Sequence, residues 1–170
     1  MRVMAIVILI GVLAITGVGI FYIRTVPHDP LVWHVDPRAV PPSTTPNSFR
    51  VALPEITEQP IDMQAPIYEV SAEQLAQAFD AFVMSQPRVE RVAGSLETGH
   101  LTYVQRTEAL QFPDYVTVQF FDITAQDGTA GTAGTSTLAL YSRSRFGYGD
   151  MGVNEARVRD WLASIESFAQ

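Results

Sequence analysis

An α+β domain of two layers, an antiparallel sheet of four to five strands with two helices on one face, behind one membrane-spanning helix, is what this sequence predicts. Three patterns carry the expectation: an uncharged apolar run at the start, a proline-dense stretch after it, and two segments of helical apolar spacing that bracket four alternating ones. The chain has 170 residues, 47% apolar and 17% charged. That is enough for one ordinary domain and too few for two large ones. All 11 basic residues are arginine, set against 18 acids, for a net charge of −7. With no basic cluster the chain lacks the local cationic charge that phosphate backbones require, so nucleic acid is not an expected partner. The absence of cysteine excludes disulfides, thiol catalysis, thiolate metal sites and a lipoprotein-type acyl anchor.

Residues 1–24 form the expected anchor. Of the 21 residues Val3 to Ile23, 17 are apolar and none is charged. At about 1.5 Å rise per residue such a run covers the roughly 30 Å hydrocarbon core of a bilayer. Arg2 and Arg24 stand at its two edges, and Phe21 and Tyr22 lie at the interfacial level. A cleaved signal peptide is the alternative, but its apolar region usually has about 7 to 15 residues. Phe21-Tyr22-Ile23-Arg24 also lacks the small-x-small cleavage pattern, so an uncleaved anchor is expected.

Residues 25–66 hold nine of the 11 prolines. Proline lacks an amide hydrogen and restricts the residue before it, so no long helix or central strand is expected there. The arm nevertheless contains Leu31, Val32, Trp33, Phe49, Val51, Leu53 and Ile56, and a pure tether would be polar. Part of it is expected to pack on the domain as a belt.

Residues 67–170 make the domain. A short strand near Tyr68 precedes a helix opened by Ser71-Ala72-Glu73-Gln74, the Ser-x-x-Gln capping box, with Leu75, Ala76, Phe79, Phe82 and Val83 on its apolar face. Arg88 to Ser95, Leu101 to Thr107, Tyr115 to Asp122 and Thr135 to Arg145 alternate and are rich in Val, Thr, Tyr and Phe, so they read as strands. The stretch Asp127 to Gly134 between the last two reads as a hairpin loop, not a P-loop, because it has no lysine. A last helix is expected from about Asn154, which would cap it, with Val158, Trp161, Leu162, Ile165 and Phe168 as its stripe. Alternation places Leu101, Tyr103, Val116, Val118, Phe120, Leu138 and Leu140 on the helix-covered face. The other face is mixed, with Thr102, Val104, Arg106, Tyr115, Thr117, Gln119, Phe121, Tyr141, Arg143 and Arg145. Two covers suit it: the proline-rich arm, or an amphipathic ligand in a groove.

The densest polar stretch is Ser142 to Val158. Arg143 and Arg145 share one side of a strand, glycines shape the turn after it, and a helix N-terminus follows. That pattern can hold a carboxylate or phosphate, with Arg106, Arg143, Arg145, Asp150, Asn154 and Arg157 as the candidate ligand-binding residues. The alternative is structural: Asp150 accepts from an arginine and from the turn amides and locks strand to helix. His28, Asp29, His34 and Asp36 are metal-ligand types within nine residues, yet a solvated segment accounts for them better. His100 reads as a turn residue, and Asp114 and Glu108, like Glu55 and Glu58, as surface acids. No catalytic residue, metal or cofactor is expected.

The segment Ser142-Arg143-Ser144-Arg145-x-Gly147-x-x-Asp150-x-Gly152-x-Asn154-x-x-Arg157-Val158 resembles the bacterial and plastid proteins called domain of unknown function 1499. So do Tyr103-Val104-Gln105-Arg106-Thr107 with Pro113-Asp114-Tyr115-Val116, and Trp33-His34-Val35-Asp36-Pro37 with Pro46-Asn47-Ser48-Phe49. The resemblance implies a unit that includes the arm, often behind a membrane or targeting segment, and hands over no catalytic residue. The expected protein sits in a bacterial inner membrane by a single pass, surrounded by membrane lipid at its N-terminal helix, with its domain on the periplasmic side. A non-enzymatic accessory or interaction module, with a membrane protein as possible partner, is the leading reading. A binder of an anionic amphiphile, and an enzyme using the Arg143, Asp150 and Asn154 cluster, are the alternatives.

Overall fold

The computed structural model describes residues 2–123 and 134–170. Helix α1 (Arg2–Thr25) leads into the single turn α2 (Pro30–Trp33), then β1 (Ser48–Ala52), β2 (Met63–Gln64) and α3 (Ala72–Ser85). Strands β3 (Val89–Ser95), β4 (His100–Arg106), β5 (Pro113–Asp122) and β6 (Ser136–Ser144) follow, and α4 (Val153–Ala163) comes after them. The fold is α+β. Residues 127–133 of the expected hairpin loop lie outside the described residues.

The sheet corrects the expectation of four to five antiparallel strands. Six strands run in the order β2-β1-β6-β5-β4-β3, and the β1–β2 pair is parallel, so the sheet is mixed. The two additional strands come from the proline-rich arm. Ser48–Ala52 is a proline-free window between Pro46 and Pro54, and its alternation sends Phe49 and Val51 into the core. It therefore pairs with β6 as an interior strand despite its flanks. Tyr68, expected in a short strand, makes only isolated bridges to Ser136 and Ala169, which tie the chain's last residues to the sheet.

Helix α3 begins as its capping box dictates, with Ser71 Oγ accepting from the Gln74 amide at 3.3 Å. It buries Leu75, Ala76, Phe79 and Val83 against the face that carries Leu101, Tyr103, Val116, Val118, Phe120, Leu138 and Leu140. Helix α4 packs beside it. Trp161 meets Phe79 and Tyr103 edge-on, with centroids 6.0 and 5.9 Å away, and each such pair adds about 0.5–1.5 kcal/mol beyond area burial. The helix stops at Ala163; Ile165 precedes a 3-10 turn, Glu166–Phe168, that carries Phe168.

The N-terminus of α4 corrects another expectation. Asn154 is not its cap but lies in the first turn, fully buried; Gly152 is the N-cap, with φ of 81°. Gly152 is glycine because this left-handed backbone strains any side chain. Asp150 does the capping instead, accepting from the amides of Gly152 at 3.0 Å and Asn154 at 2.9 Å.

Helix α1 has 24 residues, none buried, and is long and apolar enough to cross a membrane. Its last turn touches the domain. Val26, 3% exposed, marks the point where the chain joins the folded body.

Candidate functional site

The six candidate residues fall into two groups on opposite faces of the sheet. Asp150, Asn154 and Arg157 lie on the helix side. There they build a closed polar cluster with Asp114 and Ser142, whose side chains share the parity of the core residues on β5 and β6. Arg157 donates from Nη2 to Asp114 at 2.6 Å, from Nε to Gln105 Oε1 at 2.7 Å and from Nη1 to Asn154 Oδ1 at 2.8 Å. Both charged side chains of the Arg157–Asp114 pair are at most 6% exposed. Asn154 Oδ1 also accepts from Ser142 Oγ at 2.6 Å, and its Nδ2 donates to Asp150 at 2.6 Å and to the Asn47 carbonyl at 2.9 Å. Asn47 in turn donates from Nδ2 to the Gly147 carbonyl at 3.1 Å and accepts from Ser43 Oγ at 2.7 Å.

One cluster therefore joins the arm, β4, β5, β6, the turn and α4. Every donor nitrogen of the Arg157 guanidinium meets an acceptor of the chain itself. Asp150 differs in one respect from its structural reading: its partners are two amides and Asn154, and the arginine goes to Asp114. Burial pushes the Asp150 carboxyl up, but the Asn154 and Gly152 amides and the Asn154 side chain outweigh it and hold the group below its usual 3.8.

Arg106, Arg143 and Arg145 lie on the other face, beneath the arm. Arg143 donates to the Val32 carbonyl at 3.1 Å and stacks on Trp33, 4.6 Å from the ring centre. Arg145 donates to the Pro27 carbonyl at 2.8 Å and to the Tyr115 hydroxyl at 3.2 Å. Arg106 donates to the Gln111 and Ile23 carbonyls at 3.0 and 3.3 Å, and its Nη2 lies 2.9 Å from His28 Nε2. The arm thus occupies the positions a head group would use. It also covers the aromatic residues: Trp33 stacks flat on Tyr115 at 3.6 Å, Arg38 lies over Phe121, and Arg50 over Tyr141.

The histidines correct the expectation of a solvated segment. Arginine can only donate, so His28 Nε2 is its bare acceptor and Nδ1 carries the proton, donated to the Tyr115 hydroxyl at 2.6 Å. His34 Nδ1 lies 2.8 Å from Thr102 Oγ1 and heads a chain through Thr117 Oγ1 to the Trp33 carbonyl. His100 is no turn residue: it begins β4, stacks on His34 at 3.9 Å and bonds the Val35 carbonyl at 3.0 Å. Gly94 makes room for the β4 backbone and for the His34 ring, since a Cβ there would stand 1.9 Å from the His100 carbonyl oxygen and 3.0 Å from His34 Cε1. Among the described residues no group of three metal-ligand types is gathered.

Burial lowers the pKa of His28, reinforced by Arg106, and burial with the neighbouring His100 lowers that of His34. The unfolded chain, with histidines near the usual 6.5, then binds more protons than the folded one once pH falls to that range. Stability from the two histidines is complete above about pH 7 and is lost as pH drops through 6.5 and below. Chemical denaturation at a series of pH values from 8 to 5 checks it: the expected curve declines on the acid side. His28→Gln with His34→Gln flattens it.

Sequence reasoning missed Asp114, read as a surface acid but 3% exposed. Its signal was its parity with Val116, Val118 and Phe120. It also missed Gln105, which shares the parity of Leu101 and Tyr103 on β4, and Asn47, which lies outside any segment of regular alternation.

No curated protein matches the chain. A family model described as a protein of unknown function, DUF1499, matches residues 40–165, from the arm just before β1 to just past α4. The matched span holds Asn47, Gln105, Asp114, Ser142, Asp150, Asn154 and Arg157 together, and leaves out α1 and the segment Trp33 to Pro37. On that match over most of its length, the chain belongs to the DUF1499 family.

Proposed function

We propose that the chain is a single-pass protein of the bacterial inner membrane whose domain stands on the periplasmic side and works as a non-enzymatic accessory or interaction module for a membrane protein. The observation that carries this reading is α1. Its apolar side chains are exposed along the helix, apart from the half-buried Ile20 and Ile23 near its end, while the domain's own core is closed without it, so lipid is the cover they lack. The arginines support the non-enzymatic part of the reading: the candidate cations on both faces are held by internal acceptors.

The full chain should stay in the membrane fraction through high salt and alkaline extraction, with an intact mass that includes residues 1–24. Deletion of Met1 to Arg24 should yield a soluble, folded monomer. Protease added to spheroplasts should digest the domain, whereas intact cells should protect it. A mature protein lacking α1 would show a cleaved signal peptide, and a domain protected in spheroplasts would place it in the cytoplasm; either result contradicts the proposal.

A further inference from the structure

The chain between α1 and the domain is not a free tether. Val26 is buried, the Pro27 carbonyl accepts from Arg145, and His28 is held between Arg106 and Tyr115. Before that point Arg106 already holds the Ile23 carbonyl, and Tyr22 meets Phe146 edge-on with centroids 6.2 Å apart. Phe146 in turn meets Phe112 at 6.1 Å. The last turn of α1 is thereby docked against two loops, residues 107–112 between β4 and β5 and residues 145–152 between β6 and α4. Phe146, and through it Phe112, tie these loops to Tyr22, a residue of the kind that marks the boundary of a bilayer at the end of a spanning helix.

These loops carry side chains that the domain does not cover. Among the described residues beyond α1, seven large apolar side chains are exposed, and four of them, Leu110, Tyr148, Met151 and Val153, sit on or next to these loops. Tyr148 is 76% exposed and Met151 100%. Met151 is held outward by a left-handed backbone, with φ of 54°. Between the loops opens a cleft of about 260 Å³, walled largely by Phe112, Phe146, Met151 and Val153. Glu108 and Asp150 share the loops, and the chain as a whole is acidic, so electrostatic attraction to anionic lipid is not what this surface offers.

We propose that both loops rest in the interfacial layer of the bilayer that α1 crosses, with Leu110, Tyr148 and Met151 inserted among the lipid head groups. The domain is then held against the membrane in one orientation, by α1 and by the two loops together. The partner is the lipid surface itself, because the loops are continuous with the docked end of a membrane helix. This inference rests on the anchor reading of α1.

The absence of native cysteine gives a direct test on the full chain. Single variants Val12→Cys, Leu110→Cys, Tyr148→Cys, Met151→Cys and Glu97→Cys are labelled with an environment-sensitive fluorophore. Each is reconstituted in phosphatidylcholine vesicles with nitroxide lipids at shallow or deep positions. Glu97 is exposed just before the start of β4, about 20 Å along that strand from Arg106, and serves as the water-side control. The expected result is deep quenching at Val12, shallow quenching with a blue shift at the three loop positions, and neither at Glu97. Quenching at Val12 with loop labels as unaffected as Glu97 overturns the loop contact and leaves the anchor standing. A Val12 label that is not quenched overturns the anchor reading, and the loop contact with it.

Discussion

Asp114→Ala is expected to lower the unfolding free energy of the domain by about 3–5 kcal/mol, the scale for removing one partner of a buried ion pair. The size follows from what is left behind. The Arg157 guanidinium stays cationic, its side chain is only 6% exposed, and it cannot turn to water without leaving Gln105 and Asn154. Its Nη2 would be left without the carboxylate that now meets it, inside the helix-covered layer. The double variant Asp114→Leu with Arg157→Met removes both charges. It should recover a large part of the loss, since apolar groups of similar size can replace a buried pair at little cost. Urea denaturation with comparable slopes for all three proteins checks the comparison. A double variant as unstable as Asp114→Ala would mean that the network around the pair, and not the unpaired charge, sets the cost.

The elements most legible in the sequence were those whose pattern is local. Ser71 and Gln74 mark the start of α3 because a capping box needs only four residues, and the alternation of β4 to β6 assigns the core face because strand periodicity is two. The arm was legible only in part. Its proline density correctly excludes long regular elements, but the five residues Ser48–Ala52 become a strand because β6 offers an edge, and that opportunity is not written in the five residues. Asn154 illustrates a different failure. A short polar side chain near a helix start is the usual sign of a cap, yet here Asp150, four residues earlier, satisfies the amides. Asn154 is freed to bridge Ser142, Asn47 and Arg157. The division of the candidate arginines between the two faces was available from parity alone for Arg143 and Arg145. What each one grips is tertiary, because carbonyls of Ile23 in α1 and of Pro27 and Val32 in the arm reach the sheet from about 80 to 120 positions away in sequence.

The central claim about the cluster at the start of α4 is that it is a structural lock between arm, sheet and helix, and Asp150 is where lock and reaction centre differ most. Its carboxylate is bonded by two amides and one side-chain amide, all from its own turn and helix. Active-site charges, by contrast, tend to be retained at a cost in stability. Asp150→Asn exchanges one acceptor oxygen for a donor facing those N–H groups. At pH 7 it should cost about 1–3 kcal/mol. Because the folded carboxyl is held below its usual 3.8, that contribution is present above pH 3.8 and is lost as pH falls further, so variant and parent should converge in acid. The decisive measurement is a pair of melting curves at pH 7, parent against Asp150→Asn. A clear fall in melting temperature is the expected result, and an unchanged or raised one would contradict the lock and point to a charge kept for a ligand.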